Sequence, residues 1–365
     1  MSNQQPPQFA TQLLDWFDSN GRHDLPWQQD INSYRVWVSE IMLQQTQVKT
    51  VIPYYRRFMQ SFPDINTLAE ASQEQVLSHW AGLGYYARGR NLHKAAQLIM
   101  AEHNGVFPKD FDSIVGLPGI GRSTAGAILS IALNQRFAIL DGNVKRVLSR
   151  FFAIEGWPGE KRIESKLWLL ADELTPKQRF DDYTQAIMDL GATLCTRSKP
   201  NCENCPVQSS CLAFKQEDVT KYPFKKPKKE KPIKQAWLLI RQNQNAQICL
   251  YQRPQKGIWG GLWSLPEFES YQACEQYLQS EGSCQQSLIE WDSFRHTFSH
   301  YHLDIHPLYL DESVVSGVKD QRAHYNDDSN EEKPEGWYSI QSLLKGEVGI
   351  PAPVVKLMNR LDETK

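Results

Sequence analysis

The sequence predicts a multidomain chain, an all-α domain followed by a smaller α+β domain, and three observations carry that reading. Apolar residues recur at helical spacing, with no alternating strand pattern, through residues 9–194. Four cysteines then crowd into residues 195–211, and a Lys- and Pro-rich stretch at 221–234 (KYPFKKPKKEKPIK) has little to bury. Beyond it the pattern shifts to period two, at 236–240 and 247–253 across an Asn-rich turn, and again at 294–299 and 303–310. The expected layout is a domain over 1–220, a linker over 221–234 and a second domain over 235–365.

A chain of 365 residues is longer than one core usually supports, which agrees with two domains. Its formal net charge is −2, so no global field attracts a polyanion. The distribution is uneven: residues 1–220 carry −1, the linker +6 and residues 235–365 −7. Any polyanion must therefore be held by local patches and helix N-termini. No long apolar run and no charged-then-apolar leader are present, pointing to a soluble, cytoplasmic protein that engages no membrane. Seven cysteines, four of them clustered, suit a reducing compartment where thiols ligate metal.

Taken in order, residues 9–17 read as a helix ended by Asn20-Gly21. Residues 34–59 are strongly apolar, broken by Glu40, by the polar cluster Gln44, Gln45, Thr46 and Gln47, and by Pro53, which is expected to start the next helix. Glu40 stands among Trp37, Val38, Ile41, Met42 and Leu43. Either it faces solvent on an amphipathic helix, or it is desolvated and its pKa is raised toward that of a general acid. A helix over 72–80 leads into Gly82-Leu83-Gly84-Tyr85-Tyr86 and the basic residues Arg88, Arg90 and Lys94. That turn is either a buried aromatic bend or a wedge for a base stack.

The stretch 117–146 (LPGIGRSTAGAILSIALNQRFAILDGNVKR) is the centre of the chain. Gly119 and Gly121 flank Ile120 in a turn that leads into a helix over 123–133, and the first N–H groups of such a helix bind phosphate oxygens. The apolar run 137–140 then ends at Asp141, ahead of Gly142, Asn143 and a new helix. Asp141 reads as an N-cap, a geometry that can also hold a catalytic carboxylate. The cysteines Cys195, Cys202, Cys205 and Cys211 are spaced C-x6-C-x2-C-x5-C. Tetrahedral zinc is possible, but the asymmetric loop with a single C-x-x-C favours an iron–sulfur cluster. In the second domain, 259–266 (WGGLWSLP) reads as a rigid loop, Phe298-Ser299-His300 as a hairpin tip, and 271–279 and 340–344 as helices. The four histidines within 296–306 alternate along strands, which argues against a metal site.

Together these residues resemble the helix-hairpin-helix DNA glycosylases with a terminal iron–sulfur loop, and within them the MutY-type adenine DNA glycosylases. LPGIG followed by Asp141, with the four-cysteine loop, is similar to the superfamily shared with endonuclease III. SEIMLQQTQV with Glu40, and a second domain reached through a linker, resemble the adenine-removing branch. The resemblance implies hydrolysis of the N-glycosidic bond of adenine mispaired with 8-oxoguanine or guanine in double-stranded DNA, after base flipping, by a monomer carrying one [4Fe-4S] cluster on Cys195, Cys202, Cys205 and Cys211. It implies that Glu40 protonates the base, that Asp141 stays ionised with its pKa kept low, and that Asn143 orders water or Asp141. It further implies that Gln44, Gln45, Thr46, Leu83 and Tyr85 probe the vacated duplex and that Gly119, Gly121 and Ser123 belong to the DNA-binding hairpin. Lysine stands at the position of Ser123 in the strand-cleaving branch, so serine implies a monofunctional enzyme. Lys145 lies nearby and could trap a product adventitiously. The second domain resembles a Nudix-like lesion-recognition domain, with Phe298, Ser299 and His300 as the probing loop; it lacks the glutamate-rich helix of Nudix hydrolases, so no pyrophosphatase activity is expected. The rival readings are an endonuclease III-like glycosylase with lyase action and a non-catalytic DNA-damage binder.

Overall fold

The structure is a computed structural model that describes residues 6–226, 230–254, 257–281, 288–298, 300–312 and 335–363. The chain forms two compact units, Met1–Glu70 with Asn91–Lys228, and Ala71–Arg90 with Lys229–Lys365. Residues 71–90, placed by sequence with the first domain, thus group with the second unit.

The first unit is helical. It comprises α1 (Pro6–Asn20), α2 (Ser33–Leu43), α3 (Val48–Ser61), α4 (Ile65–Glu70), most of α6 (Ala87–His103), α7 (Phe111–Gly116), α8 (Arg122–Leu133), α9 (Gly142–Phe151), α10 (Lys161–Leu174), α11 (Phe180–Asp189) and α12 (Leu212–Lys215). One face of α1, with Phe9, Leu13, Leu14 and Phe17, packs with Val144, Val147 and Leu148 of α9, Leu167 and Leu174 of α10, and Ile187 of α11. Full burial of each such side chain contributes about 1.5–3 kcal/mol. Pro53 does not start a helix: α3 begins at Val48 and carries Pro53 inside it. The lost bond there would have been accepted by Lys49, an exposed residue whose carbonyl can meet water. The chain breaks instead across Gln44–Gln47, where Gln45 takes a left-handed φ of 57°. Tyr222, at the start of the expected linker, is buried and its carbonyl accepts from Arg150 Nε at 3.0 Å.

The second unit holds α5 (Gln73–Trp80) and a mixed sheet ordered β3-β2-β1-β7-β5, with β4 on β1, β6 on β7 and β8 on β2. These strands are β1 (Ile233–Gln242), β2 (Gln247–Gln252), β3 (Trp263–Ser264), β4 (Glu267–Phe268), β5 (Leu288–Glu290), β6 (Phe294–Thr297), β7 (His302–Asp311) and β8 (Glu335–Ser339). β1 and β7 run parallel, in register from Ile233 against His302 to Gln242 against Asp311. Period two sends Ala236, Leu238 and Ile240 to one face, under α14 (Ile340–Lys345) and α15 (Ala352–Glu363), and Leu239 to the other, with Cys274 and Leu278 of α13 (Tyr271–Ser280). α13 carries a single carboxylate, Glu275. Among the described residues no helix is long and apolar enough to cross a membrane.

Candidate active site

Asn32 caps α2, accepting from the N–H of Arg35 at 3.0 Å, and this helix carries Glu40 and packs on α8. Burial pushes the Glu40 carboxyl up to about 8, and the nearby charge of Asp141 adds to the rise. Asp141 is the N-cap of α9: its Oδ1 accepts from the N–H of Val144 at 2.8 Å and its Oδ2 from Asn143 Nδ2 at 3.1 Å. The cap and the carboxylate are one residue. The expectation that Asp141 is held at a low pKa is not met, because burial pushes its carboxyl upward against the amide donors and Arg146. Of the two carboxyls Glu40 is the one pushed to about 8, so it holds its proton at neutral pH.

α7 and α8 form the helical hairpin. Gly119 has φ 82°, the left-handed region, while Gly121 is extended at φ −93° and serves as the N-cap of α8 without a side chain. Buried Leu117 and Ile120 pin the turn, and a Cβ added at Gly121 would meet open space, so the first N–H groups of α8 are approachable. Gln44 lies against this turn, its Nε2 3.5 Å from both the Gly119 carbonyl and Thr124 Oγ1. Ser123 Oγ accepts from the N–H of Leu140 at 2.9 Å, fastening the segment that delivers Asp141. The Lys145 ammonium is tied to Glu164 Oε1 at 2.6 Å.

Cys195, Cys202, Cys205 and Cys211 line one cavity together with Arg150, Leu194, Pro200, Asn201 and Phe214. Burial raises the thiols of Cys202 and Cys211 and pushes that of Cys205 up to about 12. Arg150, 1 % exposed, donates to Cys195 Sγ at 3.3 Å and to the carbonyls of Cys195, Thr196 and Arg197. Four soft donors around one cavity beside a buried cation fit an anionic thiolate-ligated group. Among the described residues no set of three or more His, Cys, Asp or Glu side chains converges as for a single metal ion.

In the second unit, the turn after α5 puts Leu83 inside, 6 % exposed, and Tyr85 outside, 53 % exposed with φ 50°. Tyr85, not Leu83, offers the apolar surface there. Arg88 and Arg90, basic residues of the stretch that follows the turn, are buried and half-buried. Phe298 and His300 sit at the β6–β7 turn, where the N–H of Phe298 donates to the Tyr301 carbonyl at 2.9 Å and the Phe298 ring lies 5.3 Å from that of Trp259. Ser299 lies outside the described residues. His302 and His306 share one face of β7, and His296 packs on Trp259 and Phe298, so the histidines do not converge.

The chain is 39% identical over 351 residues to the adenine DNA glycosylase of Buchnera aphidicola subsp. Schizaphis graminum, covering 96% of this chain and 97% of that one. This chain belongs to the adenine DNA glycosylase family. The human member is 38% identical over 81% of this chain and 65% of its own length. Residues 38–173 match the HhH-GPD superfamily of base excision DNA repair proteins, and residues 236–360 match the NUDIX domain. A thermostable thymine-DNA glycosylase of known structure shares the fold at TM-score 0.54 and 25% identity, covering 59% of this chain and 98% of its own. Endonuclease III bound to DNA shares it at TM-score 0.51 and 21% identity, over 60% of this chain and 98% of its own.

Within the site of this family member, sequence reasoning missed Arg146 and Arg150. Both lie on the face of α9 that carries Asn143, at spacings of three and seven, and both turn toward the cysteine loop. Their spacing was the available signal; a basic pair on a short helix otherwise reads as a solvated face.

Proposed function

We propose that this chain is a monofunctional glycosylase that removes adenine from double-stranded DNA, opposite 8-oxoguanine or guanine. The pairing of Glu40 with Asp141 in one enclosed site supports this reading above all else. Adenine must leave the stack before its glycosidic bond is accessible. Glu40, in its acid form at neutral pH, gives its proton to N7 of the flipped base. The C1′–N9 bond breaks, its electron pair leaves with the adenine, and the Asp141 carboxylate faces the oxocarbenium-like sugar. Water adds to C1′, and its proton returns to the Glu40 carboxylate. Asn143 keeps Asp141 in place through its 3.1 Å bond.

Gly119 and Gly121 present hairpin amides to a backbone phosphate, with Ser123 behind them. Gln44, Gln45, Thr46 and Tyr85 fill or probe the vacated duplex, with Leu83 buried in the same turn as Tyr85, and Phe298, Ser299 and His300 read the lesion. Ser123 has no amine with which to form an imine, so the strand stays intact. Cys195, Cys202, Cys205 and Cys211 hold one [4Fe-4S] cluster, which fixes the loop and its charge beside Arg150. The protein acts as a cytoplasmic monomer.

A single-turnover assay on duplexes holding A:8-oxoguanine, A:G or A:T tests the reading. Alkali-labile sites should appear in the first two, with strands intact before alkali. Equal rates on A:T, or strand breaks without alkali at the rate of base release, would overturn it.

A further inference from the structure

The turn that presents Tyr85 is held from within and from outside. From within, Trp80 Nε1 and Arg88 Nη2 each donate to the Gly84 carbonyl at 3.2 Å. The Arg88 guanidinium also lies 5.6 Å from the Trp80 ring centre and 5.4 Å from that of Tyr85. From outside, three side chains of residues 71–90 bond to the C-terminal part of the same unit. Glu74 Oε1 accepts from Trp263 Nε1 at 2.9 Å, Arg90 Nη1 donates to the Gly260 carbonyl at 2.7 Å, and the Tyr86 hydroxyl donates to the Ile350 carbonyl at 3.3 Å. The same hydroxyl lies 3.4 Å from the N–H of Gly82.

We propose that Glu74, Tyr86 and Arg90 are positioning residues through which loop 260–263 and Ile350 set the conformation of the Tyr85 turn. The inference rests on the reading of Tyr85 as a probe of the duplex. An exposed tyrosine in the left-handed region persists only where its surroundings over-determine the backbone. The braces stand on both sides of the turn, one on α5 and two at or just before the start of α6. They end on backbone carbonyls and an indole of the C-terminal segment, so that segment governs how the opposing strand is probed without touching a base through these groups. A half-buried arginine bonded to a carbonyl is a rigid strut rather than a phosphate contact.

Amide hydrogen exchange of the full-length protein without DNA tests the brace. The N–H groups of Leu83, Arg88 and Arg90, bonded to the carbonyls of Trp80, Tyr85 and Tyr86, are the reporters. Arg90→Met should speed their exchange by about tenfold or more while α8 and α9 keep their rates, and Arg90→Lys should restore protection. Glu74→Ala should act in the same direction, which keeps the test open if Arg90→Met misfolds. Unchanged exchange at these amides in the folded variants overturns the proposal. Excision forms the second arm: Arg90→Met should lower the ratio of rates on A:8-oxoguanine and A:T about tenfold, and Tyr85→Ala added to it should cost less than about twofold more. Independent, multiplying losses would overturn the coupling to Tyr85. Absence of adenine release by the unmodified protein would instead remove the functional reading and leave the exchange result standing.

Discussion

Arg146 donates from Nη2 to Asn143 Oδ1 at 2.8 Å, while Asn143 Nδ2 donates to Asp141 at 3.1 Å, so one amide joins a guanidinium to the enclosed carboxylate. Arg146 is itself fixed on the cysteine loop side, donating from Nε to the Cys195 carbonyl and from Nη2 to the Gly191 carbonyl, both at 2.7 Å. At Gly191 the backbone closes on Asn143, where an added Cβ would stand 2.5 Å from the Asn143 Cβ. Arg146→Met frees the amide to turn and takes a donor from each of the Gly191 and Cys195 carbonyls, leaving the second only Arg150. Single-turnover adenine release should fall by about 10–100-fold, with duplex binding in a gel-shift assay retained. Release within twofold of the parent would show that the chain of bonds does not orient Asp141.

Removing the proposed cluster should act through the same bonds. With the thiols reprotonated, only protein contacts hold the loop of Cys202, Cys205 and Cys211, and the Cys195 carbonyl is less firmly fixed beside Arg146 and Arg150. The expected outcome of chelation under anaerobic denaturing–refolding is loss of visible absorption, faster exchange across residues 195–211 and loss of adenine release. A colourless protein with stoichiometric zinc and full activity contradicts the cluster assignment.

The pH dependence follows from Glu40. Its folded pKa, about 8, lies above the ordinary 4.5, so the acid form needed for protonation persists at neutral pH and is lost as pH rises through about 8. The rate of release should decline along that alkaline limb, and Glu40→Gln should abolish release. Stability has the same sign: the folded state binds the proton more tightly, so the carboxyl increasingly destabilises the fold between about 4.5 and about 8. Glu40→Gln should therefore raise stability by about 1–3 kcal/mol at pH 8 and leave it unchanged at pH 4, read from urea unfolding. Equal effects at both pH values would show that the carboxyl is solvated.

Lys145 is the nearest amine in sequence to Asp141 and Asn143, and its ammonium is held by Glu164. An ion-paired ammonium has no lone pair for an aldehyde. Glu164→Gln should raise borohydride trapping on abasic DNA by at least about twofold, without creating strand cleavage during turnover. Unaltered trapping would mean that the pair does not restrain the amine.

Arg122, the first residue of α8, lies 3.9 Å over the Trp168 ring of α10, which aims a cation at the start of the hairpin helix. Trp168→Ala should weaken duplex binding by about two- to fivefold. Arg122→Ala should also reduce the slope of log affinity against log salt by about one. Titrations by fluorescence anisotropy at several salt concentrations measure both, and an unchanged slope would remove Arg122 from the phosphate contacts.

The parts of this site that are legible in the sequence are those set by local chemistry. Asp141 before a helical pattern is a cap by the same rule that makes it one in the structure, and Glu40 among apolar neighbours is desolvated because its helix packs on another. What stays hidden depends on partners far along the chain. Leu83 and Tyr85 look equally able to be a wedge, and only the glycine-flanked turn and the Arg88 guanidinium beside Tyr85 decide which side chain faces out. Arg90 is only a basic residue after a turn until Gly260, 170 residues later, accepts its hydrogen bond. β3 and β4 are two residues each, too short to show any period, and Pro353 disguises α15, although the first turn of a helix tolerates it.

The parallel pairing of β1 with β7 has a consequence for biosynthesis. β1 emerges from the ribosome well before His302–Asp311, and residues 71–90 emerge earlier still, ahead of the Gly260, Trp263 and Ile350 groups to which they bond. Long-range closures of this kind are slow, so folding of the second unit is completed only after its last strands and helices are made. A nascent or prematurely terminated chain ending before Gly260 keeps the cysteine loop and the hairpin but leaves Glu74 and Arg90 without their Trp263 and Gly260 contacts. Early stop mutations in this gene would therefore yield a product whose Asp141 segment is intact in sequence and whose Tyr85 turn lacks those contacts.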